Sequence, residues 1–461
     1  MQQPAAELAR AHDPPSMRPA RQRLLNAPIL PTLARLAAPA ALLALFQTGV
    51  SIADTHFVGR LGTAPLAGLA LVFPLMMLLQ MTSAGAMGGG VSSAIARALG
   101  AGEEDAARAL VAHAMVLALL FGLAFTALLL LLGAPLYRLL GAQGDALPQA
   151  IAYSNVVFGG AVLVWLSNTL ASVLRGSGNT LVPALALIAA AMLHVALSAA
   201  LVLGLAGLPS LGIAGAGVAY VTAFGFACVA MTTYVWASPL RPSAEDWRLE
   251  WRRFRDILRV GAVSSLSAIQ TVLTAVIVTG FVGRYGTAAL AGFGVGVRLE
   301  LLQVPLVFAI GQAMVPMVGT QIGAGQAARA KHIAWVGAAL GGGLSLVIGV
   351  TAALFPAAWV GIFSSDPAVL AAGSQYLRIV APFYTFLGFA IVLYFASQGS
   401  GHVVRPVLAG TARLLVVGGG AALAVPLGAP LWALFALIAL GLAVLGSLTA
   451  LAVQRTDWAR R

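Results

Sequence analysis

The stretch FVGRLGTA at residues 57–64 decides the architecture of this chain, because it returns as FVGRYGTA at residues 281–288. Three further segments repeat 223 or 224 residues apart: QT at 47–48 with QT at 270–271, LGAG at 99–102 with IGAG at 322–325, and RGSGN at 175–179 with QGSGH at 398–402. Matches in one register across four segments indicate an internal duplication. The chain therefore consists of two related halves.

Composition places both halves in a membrane. Hydrophobic residues make up 60% of the 461 residues and charged residues only 9%, whereas soluble domains carry roughly 25% charged residues. The net charge of +12 is typical of basic loops that set membrane topology, and we expect no nucleic-acid binding. The single cysteine, Cys228, excludes an internal disulfide and gives no metal cluster.

Twelve apolar runs are long enough to cross a bilayer, which needs about 20 residues of helix. They start near Leu33, Leu66, Ala107, Ile151, Leu181, Ala214, Ile257, Leu290, Ile333, Val369, Val404 and Leu431. The predicted fold is all-α and integral to the membrane, with twelve transmembrane helices in two pseudo-symmetric six-helix bundles. Because each half has an even number of crossings, a pseudo-two-fold axis along the membrane normal and a cavity between the bundles are expected.

Basic residues predict the boundaries and the orientation. We expect a disordered basic cytoplasmic tail at 1–28, a first lobe at 29–237, a cytoplasmic linker at 238–254, a second lobe at 255–453 and a cytoplasmic tail at 454–461. Arginines concentrate in both tails and in the linker, and such segments stay in the cytoplasm. The prediction is a monomeric multi-pass protein of the cell inner membrane with both termini cytoplasmic.

Several motifs resemble the multidrug and toxic compound extrusion family. They are QT at 47–48 followed by ADTHFVG at 53–59, the RGSGN turn at 175–179 with Pro183, and Arg298-Leu299-Glu300, which resembles the DinF-like branch. The resemblance implies two six-helix lobes, alternating access and cation-driven export of bulky, often cationic, organic compounds. Phosphate loops, dinucleotide fingerprints, zinc spacings and serine-hydrolase elbows are absent from the sequence, so we expect no enzyme, no catalytic residue, no cofactor and no metal site.

Two carboxylates, Asp54 and Glu300, lie at membrane depth. A charge at the bilayer centre is unfavourable by about 2.5–3.5 kcal/mol on insertion scales, and removal from water favours the protonated form of a carboxyl group. Asp54 is therefore the candidate group that loads and releases the coupling cation, and the family aspartate that it resembles has that role. The alternative is a solvated acid near the outer headgroups, or one that only fixes the first span.

The fifth span carries His194 and Ser198 where the family often has Asn and Asp, four residues apart on one helix face. Tyr220 in the sixth span occupies the place of a family threonine. Sodium prefers several hard oxygen ligands, whereas histidine titrates near neutrality. These three positions, together with Asp54, predict coupling to protons, with sodium as the alternative. A neutral, hydrogen-bonded core histidine is the other interpretation of His194.

Glu300 and Arg298 form a second set of intramembrane charges. They are two residues apart, and such neighbours on a helix do not face each other. Each is expected to find a different partner, either in a structural ion-pair network or with a role in gating or coupling.

Residues expected in the substrate cavity are Gln47, Met77, Asn168, Gln270, Tyr384 and Phe389. Aromatic faces attract organic cations, and methionine adapts to varied shapes. Packing or lipid contact is the alternative for the aromatic and methionine positions.

The predicted function is a proton-coupled antiporter for small organic compounds, with protons, the substrate and the bilayer as its partners. A sodium-coupled exporter is one alternative. A lipid-linked saccharide flippase is another, but such proteins carry several arginines in the cavity, and Arg298 is the one clear mid-helix arginine in the sequence. A non-transporting membrane scaffold is the third.

Overall fold

The computed structural model describes residues 18–205 and 207–459. Within these ranges eleven helices are long and apolar enough to cross a membrane, and a pair bent by 48° supplies a twelfth crossing. The crossings are α1 (Ile29–Gly59), α2 (Thr63–Ala101), α3 (Glu104–Leu139), α4a (Ala146–Gly159) with α4b (Ala161–Gly176), α5 (Leu181–Leu203), α6 (Ile213–Trp236), α7 (Trp251–Gly283), α8 (Thr287–Gly323), α9 (Ala327–Leu354), α10 (Pro367–Ser400), α11 (Val404–Ala424) and α12 (Leu431–Arg455). The predicted all-helical membrane fold is confirmed.

The bend in the fourth crossing lies at Gly160, between α4a and α4b. The side chain of Val221 in α6 lies so close to Gly160 that a β-carbon there would approach it to 2.5 Å. A glycine therefore lets α6 pack against the break, and the fourth apolar run forms two short helices instead of one straight span.

The repeated glycines end helices in both halves. Gly178 follows α4b with φ of 84°, and its counterpart Gly401 follows α10 with φ of 83°. A positive φ is disfavoured for residues with a β-carbon, and glycine adopts it freely. The duplicated turn thus preserves one backbone conformation at equivalent helix ends.

A π-helical segment explains why the repeat spacing changes from 224 to 223. Thr63 and Gly100 are 37 positions apart, whereas their counterparts Thr287 and Gly323 are 36 apart. Within this interval α2 is π-helical over Met81–Met87, while α8 is a regular α-helix. The wider π turn accommodates the extra residue in the first half, and such turns are frequent at functional sites.

In the described residues the contacts between the two lobes concentrate at one face. We call the face with the connection between α6 and α7 and the end of α12 the tail face, and the opposite one the far face. The tail-side half of α2, Gly88–Ala101, packs against α7, α8 and α10, whereas the substantial contacts of its far half, Thr63–Gln80, lie within the first lobe. The contacts of α2 with the second lobe therefore close the tail face, and its far half has no substantial contact with that lobe in the described residues.

At the tail face, α2 and α8 approach each other closely at two contacts that are related by the pseudo-symmetry. Gly100 of α2 lies directly against the Thr320 carbonyl of α8, and Gly323 of α8 lies directly against the Arg97 carbonyl of α2. Each residue in one contact is 223 positions from its counterpart in the other. A β-carbon at either glycine would overlap the facing carbonyl oxygen, so small residues allow the two helices to cross.

The expectation of disorder for the tail at 1–28 is wrong for its last part. Arg18–Asn26 is a helix that joins the two lobes. Arg21 Nη2 donates to the Gly100 carbonyl of the first lobe at 2.9 Å, and Gln321 Nε2 of the second lobe donates to the Leu24 carbonyl at 3.1 Å. These bonds satisfy backbone carbonyls near helix ends, which have no partners within their own helices. The segment 1–17 lies outside the described residues.

Candidate functional site

A buried carboxylate forms the centre of the candidate site. Asp54 in α1 is only 8% exposed. His194 Nε2 in α5 lies 2.9 Å from Asp54 Oδ2 and 3.0 Å from Oδ1, and Ser198 Oγ donates to Oδ1 at 2.7 Å. Because His194 and Ser198 are four residues apart, one face of α5 presents both to α1. The structure thus brings together three residues that the sequence singled out.

Tyr220 of α6 adjoins His194 instead of Asp54. Its ring meets the imidazole edge-on, with centroids 5.9 Å apart and an interplanar angle of 84°. Its hydroxyl accepts a hydrogen bond from Gln80 Nε2 at 2.8 Å. Tyr220 therefore fixes one side of the imidazole and links it to α2.

A polar chain continues from Tyr220 into the π-helical segment. Asn168 Nδ2 of α4b donates to Gln80 Oε1 at 3.0 Å and to Ser83 Oγ at 2.8 Å. Sequence reasoning placed Asn168 in the substrate cavity but missed Gln80 and Ser83. The available signal was the presence of polar side chains in an otherwise apolar span, next to the interval where the repeat spacing changes.

Asp54 has one ion-pair partner among the described residues. In residues 18–205 and 207–459 no lysine or arginine forms an ion pair with it, and His194 is its one ion-pair partner. A buried charge without a counter-charge is strongly unfavourable. Among these residues a charge on Asp54 is therefore met by hydrogen bonds and by the His194 imidazole, and by no arginine or lysine. The described residues contain no group of three acidic, histidine or cysteine side chains able to hold a metal.

The expected cavity residues fall in separate places. Gln47 and Met77 are exposed, while Gln270, the counterpart of Gln47, is buried and donates to Thr411 Oγ1 at 2.7 Å. Phe389 packs against Gly342 of α9 within the second lobe. Tyr384 is fully buried in the same lobe. Only Asn168 joins the network that leads to Asp54.

Glu300 and Arg298 do have different partners. Arg298 is exposed, with its guanidinium carbon 5.1 Å from the centre of the Phe363 ring. Tyr376 of α10 donates to Glu300 Oε2 at 3.5 Å. The expectation that Arg298 is the one clear mid-helix arginine is wrong. Arg413 lies inside α11, and its Nε is buried because α11 turns that face towards the other helices of its lobe.

Comparisons with known proteins agree with this architecture. The family model MatE matches residues 39–200 and again 264–419, once in each half. A FAD transporter of Shewanella oneidensis is 28% identical over 403 residues, which are 86% of this chain and 88% of that protein. A probable multidrug resistance protein NorM of Bradyrhizobium diazoefficiens is 30% identical over 334 residues, 69% of each chain. A solved MOP superfamily transporter from Pyrococcus furiosus shares the fold, with a TM-score of 0.85, 23% identity, and coverage of 95% of this chain and 99% of that one.

Proposed function

Because the chain belongs to the MatE family of membrane transporters, we propose that it exports organic, often cationic, compounds in exchange for protons by alternating access. The observation that carries the proposal is the buried Asp54 carboxylate, which His194 and Ser198 contact at 2.7–3.0 Å. An intramembrane acid without a fixed counter-cation is typical of an ion pathway. The site then holds the cation that drives export.

The ligand chemistry of the site favours a proton over sodium. Asp54 and Ser198 supply oxygen atoms, but His194 supplies a nitrogen, and the Tyr220 hydroxyl is engaged by Gln80. Hard cations favour carboxylate, carbonyl and water oxygens, whereas imidazole suits softer metals. Histidine is also the side chain whose ordinary titration falls near physiological pH. Asp54 and His194 therefore suit the sharing of one transferable proton.

The closed tail face supports alternating access. In our proposal the tail face is cytoplasmic, as its arginines favour, both termini lie in the cytoplasm, and the protein resides in the inner membrane as a monomer. The state in the structure is then the outward one. Because the Gly100 and Gly323 contacts are short-range and pseudo-symmetric, separating α2 from α8 opens the cytoplasmic side without rearranging either lobe.

The transport cycle follows from these two features. In the inward state the deprotonated Asp54 site attracts a cationic compound into the cavity. After the lobes close at the tail face, Asp54 and His194 accept a proton from the outside, which removes that attraction, and the compound leaves. Return to the inward state delivers the proton to the cytoplasm. Export is thus coupled to proton entry because the binding of each cation weakens the binding of the other.

A different cargo is suggested by one relative. The Shewanella oneidensis protein is a FAD transporter, and Arg413 supplies a positive charge inside the second lobe that suits an anionic group. Export of flavin nucleotides is therefore the second candidate function. The lipid-linked saccharide flippase has less support, because Arg298, the arginine on which it would depend, is exposed and contacts Phe363.

The test is proton-driven export from proteoliposomes, with rhodamine 123 and ethidium as cationic probes and FAD as the alternative cargo. We expect an imposed pH gradient to drive export of the cations, and Asp54→Asn to reduce it to the level of empty liposomes. Asp145→Asn is the matched control, because Asp145 is an exposed acid outside the spans, and it should transport normally. Equal proton-driven export by Asp54→Asn would refute the mechanism.

Two further outcomes decide between the alternatives. Replacing sodium by choline should leave the export rate unchanged, and a loss of export would assign the coupling to sodium. Transport of FAD and of neither cationic dye would replace the proposed cargo. The role of Asp54 would then be tested with the Asp54→Asn variant and FAD as the cargo.

A further inference from the structure

One face of α7 is exposed along most of the length of the helix. Steps of three and four residues keep to one face of a helix, and such steps connect a row of exposed side chains here. We call this row the outer stripe, and its members are Arg252, Arg255, Arg259, Ala262, Leu266, Ile269, Leu273 and Val276. The outer stripe thus begins with three arginines and continues with apolar side chains.

The length of α7 sets the level of the three arginines. The helix has 33 residues, and at about 1.5 Å per residue it is longer than the hydrocarbon core of a bilayer, which is roughly 30 Å thick. Residues 262–283 alone span about 33 Å, and they include the apolar part of the outer stripe. The first turns of α7, at the tail face, therefore extend beyond the core to the level of the lipid headgroups.

The charges of the three arginines are not compensated by the protein. Within residues 18–205 and 207–459 none of them forms an ion pair. Asp256 lies about one turn from Arg252 and from Arg259, but it is exposed and pairs with neither. Arg253, on another side of the helix, does pair with Glu250 at 3.0 Å. The outer stripe therefore carries a net positive charge at its tail-face end.

A different face of α7 packs against the first lobe. Ile257 and Gly261 are buried in α7. A β-carbon at Gly90 of α2 would come within 2.6 Å of the Ile257 carbonyl oxygen, and one at Gly261 would come within 2.5 Å of Met87 Sδ. The outer stripe has no part in these contacts. It lies beside the place where α7 of the second lobe meets α2 of the first.

Trp251 marks the same level of the helix. It precedes Arg255 by one turn, so it lies on the side of the outer stripe, and it is 71% exposed. Tryptophan is enriched where a membrane protein passes through the boundary between headgroups and acyl chains. The exposed indole and the arginines therefore indicate contact with the lipid headgroup region at this end of α7.

Pseudo-symmetry shows that the scaffold does not require these arginines. Their counterparts in α1, at a spacing of 223, are Ile29, Thr32 and Leu36. These counterparts carry no charge, and Thr32 and Leu36 are buried. The basic end of the outer stripe is thus particular to α7, which points to a partner that α1 does not have.

We propose that the outer stripe binds an anionic phospholipid of the leaflet that borders the tail face. The phosphate of the lipid contacts the three arginines, and its acyl chains lie along Leu266, Ile269 and Leu273. Arginine pairs well with phosphate oxygens, and basic clusters at the end of a transmembrane helix attract anionic lipids. The bound lipid borders the contact between the lobes. This site depends on neither the cargo nor the coupling ion.

The test counts lipids bound to the purified full-length protein by native mass spectrometry. The protein, in a neutral detergent, is titrated with phosphatidylglycerol, and with phosphatidylcholine as the zwitterionic comparison. We expect phosphatidylglycerol to bind more tightly than phosphatidylcholine. Arg255→Gln with Arg259→Gln should weaken the tightest phosphatidylglycerol binding about tenfold or more, because the charges that attract the headgroup are lost, and should leave phosphatidylcholine binding unchanged.

Arg241→Gln with Arg455→Gln is the matched control. Both arginines are exposed at the tail face and lie outside α7, so this variant loses the same charge from the same side of the protein. It should bind phosphatidylglycerol normally. An equal loss in both double variants, or no loss in the α7 variant, would overturn the proposal.

A conservative variant separates charge from structure. Arg255→Lys with Arg259→Lys keeps both charges and should bind phosphatidylglycerol within about threefold of the natural protein. The thermal unfolding midpoint without added lipid should be the same for all variants, because the substituted side chains are exposed. A loss in the lysine variant as large as that in the glutamine variant would overturn the proposal.

Inorganic phosphate distinguishes a lipid site from a site for a free anion. An excess of phosphate should not displace bound phosphatidylglycerol, because the acyl chains contribute through the apolar part of the outer stripe. Displacement by phosphate alone would mean that the arginines bind an anion without its chains, and would overturn the assignment to a phospholipid.

Discussion

The surroundings of Asp54 in the first lobe differ from those of Glu300 in the second. Around Asp54, the side chains of His194, Ser198, Tyr220 and Gln80 bond or stack on one another. Glu300 has one long hydrogen bond, from Tyr376, and Gln303 one turn further along α8 has no partner in the described chain. The tail-face contacts of Gly100 and Gly323, by contrast, are nearly equal. The duplication has thus preserved this crossing, and the two interiors have diverged.

The largest effect in this comparison is expected when His194 is replaced. Ser198 then remains as the described hydrogen-bond partner of Asp54. His194→Leu removes a hydrogen bond to a charged group, which is worth about 1.5–3 kcal/mol. Proton-driven rhodamine 123 export should fall about tenfold or more, by the relation of about 1.4 kcal/mol per factor of ten. His56→Leu is the control, because His56 is an exposed histidine on α1, the helix that carries Asp54. Normal export by His194→Leu would mean that the first-lobe network is only structural.

A smaller and symmetric effect is expected at the tail-face crossing. Gly100→Ala and Gly323→Ala should each lower the stability by about 1–3 kcal/mol, because each added methyl group overlaps a facing carbonyl. The measurement is the thermal unfolding midpoint in detergent. Gly59→Ala and Gly283→Ala form the matched control pair, since both positions have open space around them, and should not destabilise. Unequal effects at Gly100 and Gly323 would show that the scaffold has diverged as well.

The smallest effect contrasts one tyrosine in each lobe. Tyr220→Phe removes the hydrogen bond from Gln80 and should destabilise the protein by about 1 kcal/mol. Tyr384→Phe removes a hydroxyl without a hydrogen-bond partner in the described chain, and should be neutral or stabilising. The thermal unfolding midpoints of the two variants, measured in the same detergent, separate the two. Equal destabilisation by both substitutions would remove the distinction between the lobes.

The sequence identified much of the first-lobe site because its signals are local. A carboxylate within an apolar span and two polar residues four apart on another span are visible without coordinates, as Asp54, His194 and Ser198 are. Gln80 and Ser83 were missed, because a neutral polar residue in a span gives a weak signal. Arg413 was overlooked among the arginines of its segment, and only the position of α11 shows that its Nε is buried.

The sequence by itself determined the membrane class, the duplication, the twelve crossings and the family of transporters, since hydropathy and repeat spacing are properties of the chain alone. Tertiary structure decided which side chains meet. Asp54 and His194 are 140 residues apart, and their contact depends on how α1 and α5 are rotated and crossed. The same holds for the tail helix, whose arginines predicted a cytoplasmic tail. Its docking depends on the Gly100 carbonyl of the first lobe and the Gln321 amide of the second. The local sequence pattern determines which segments form membrane-spanning helices, and packing determines which residues each helix contacts.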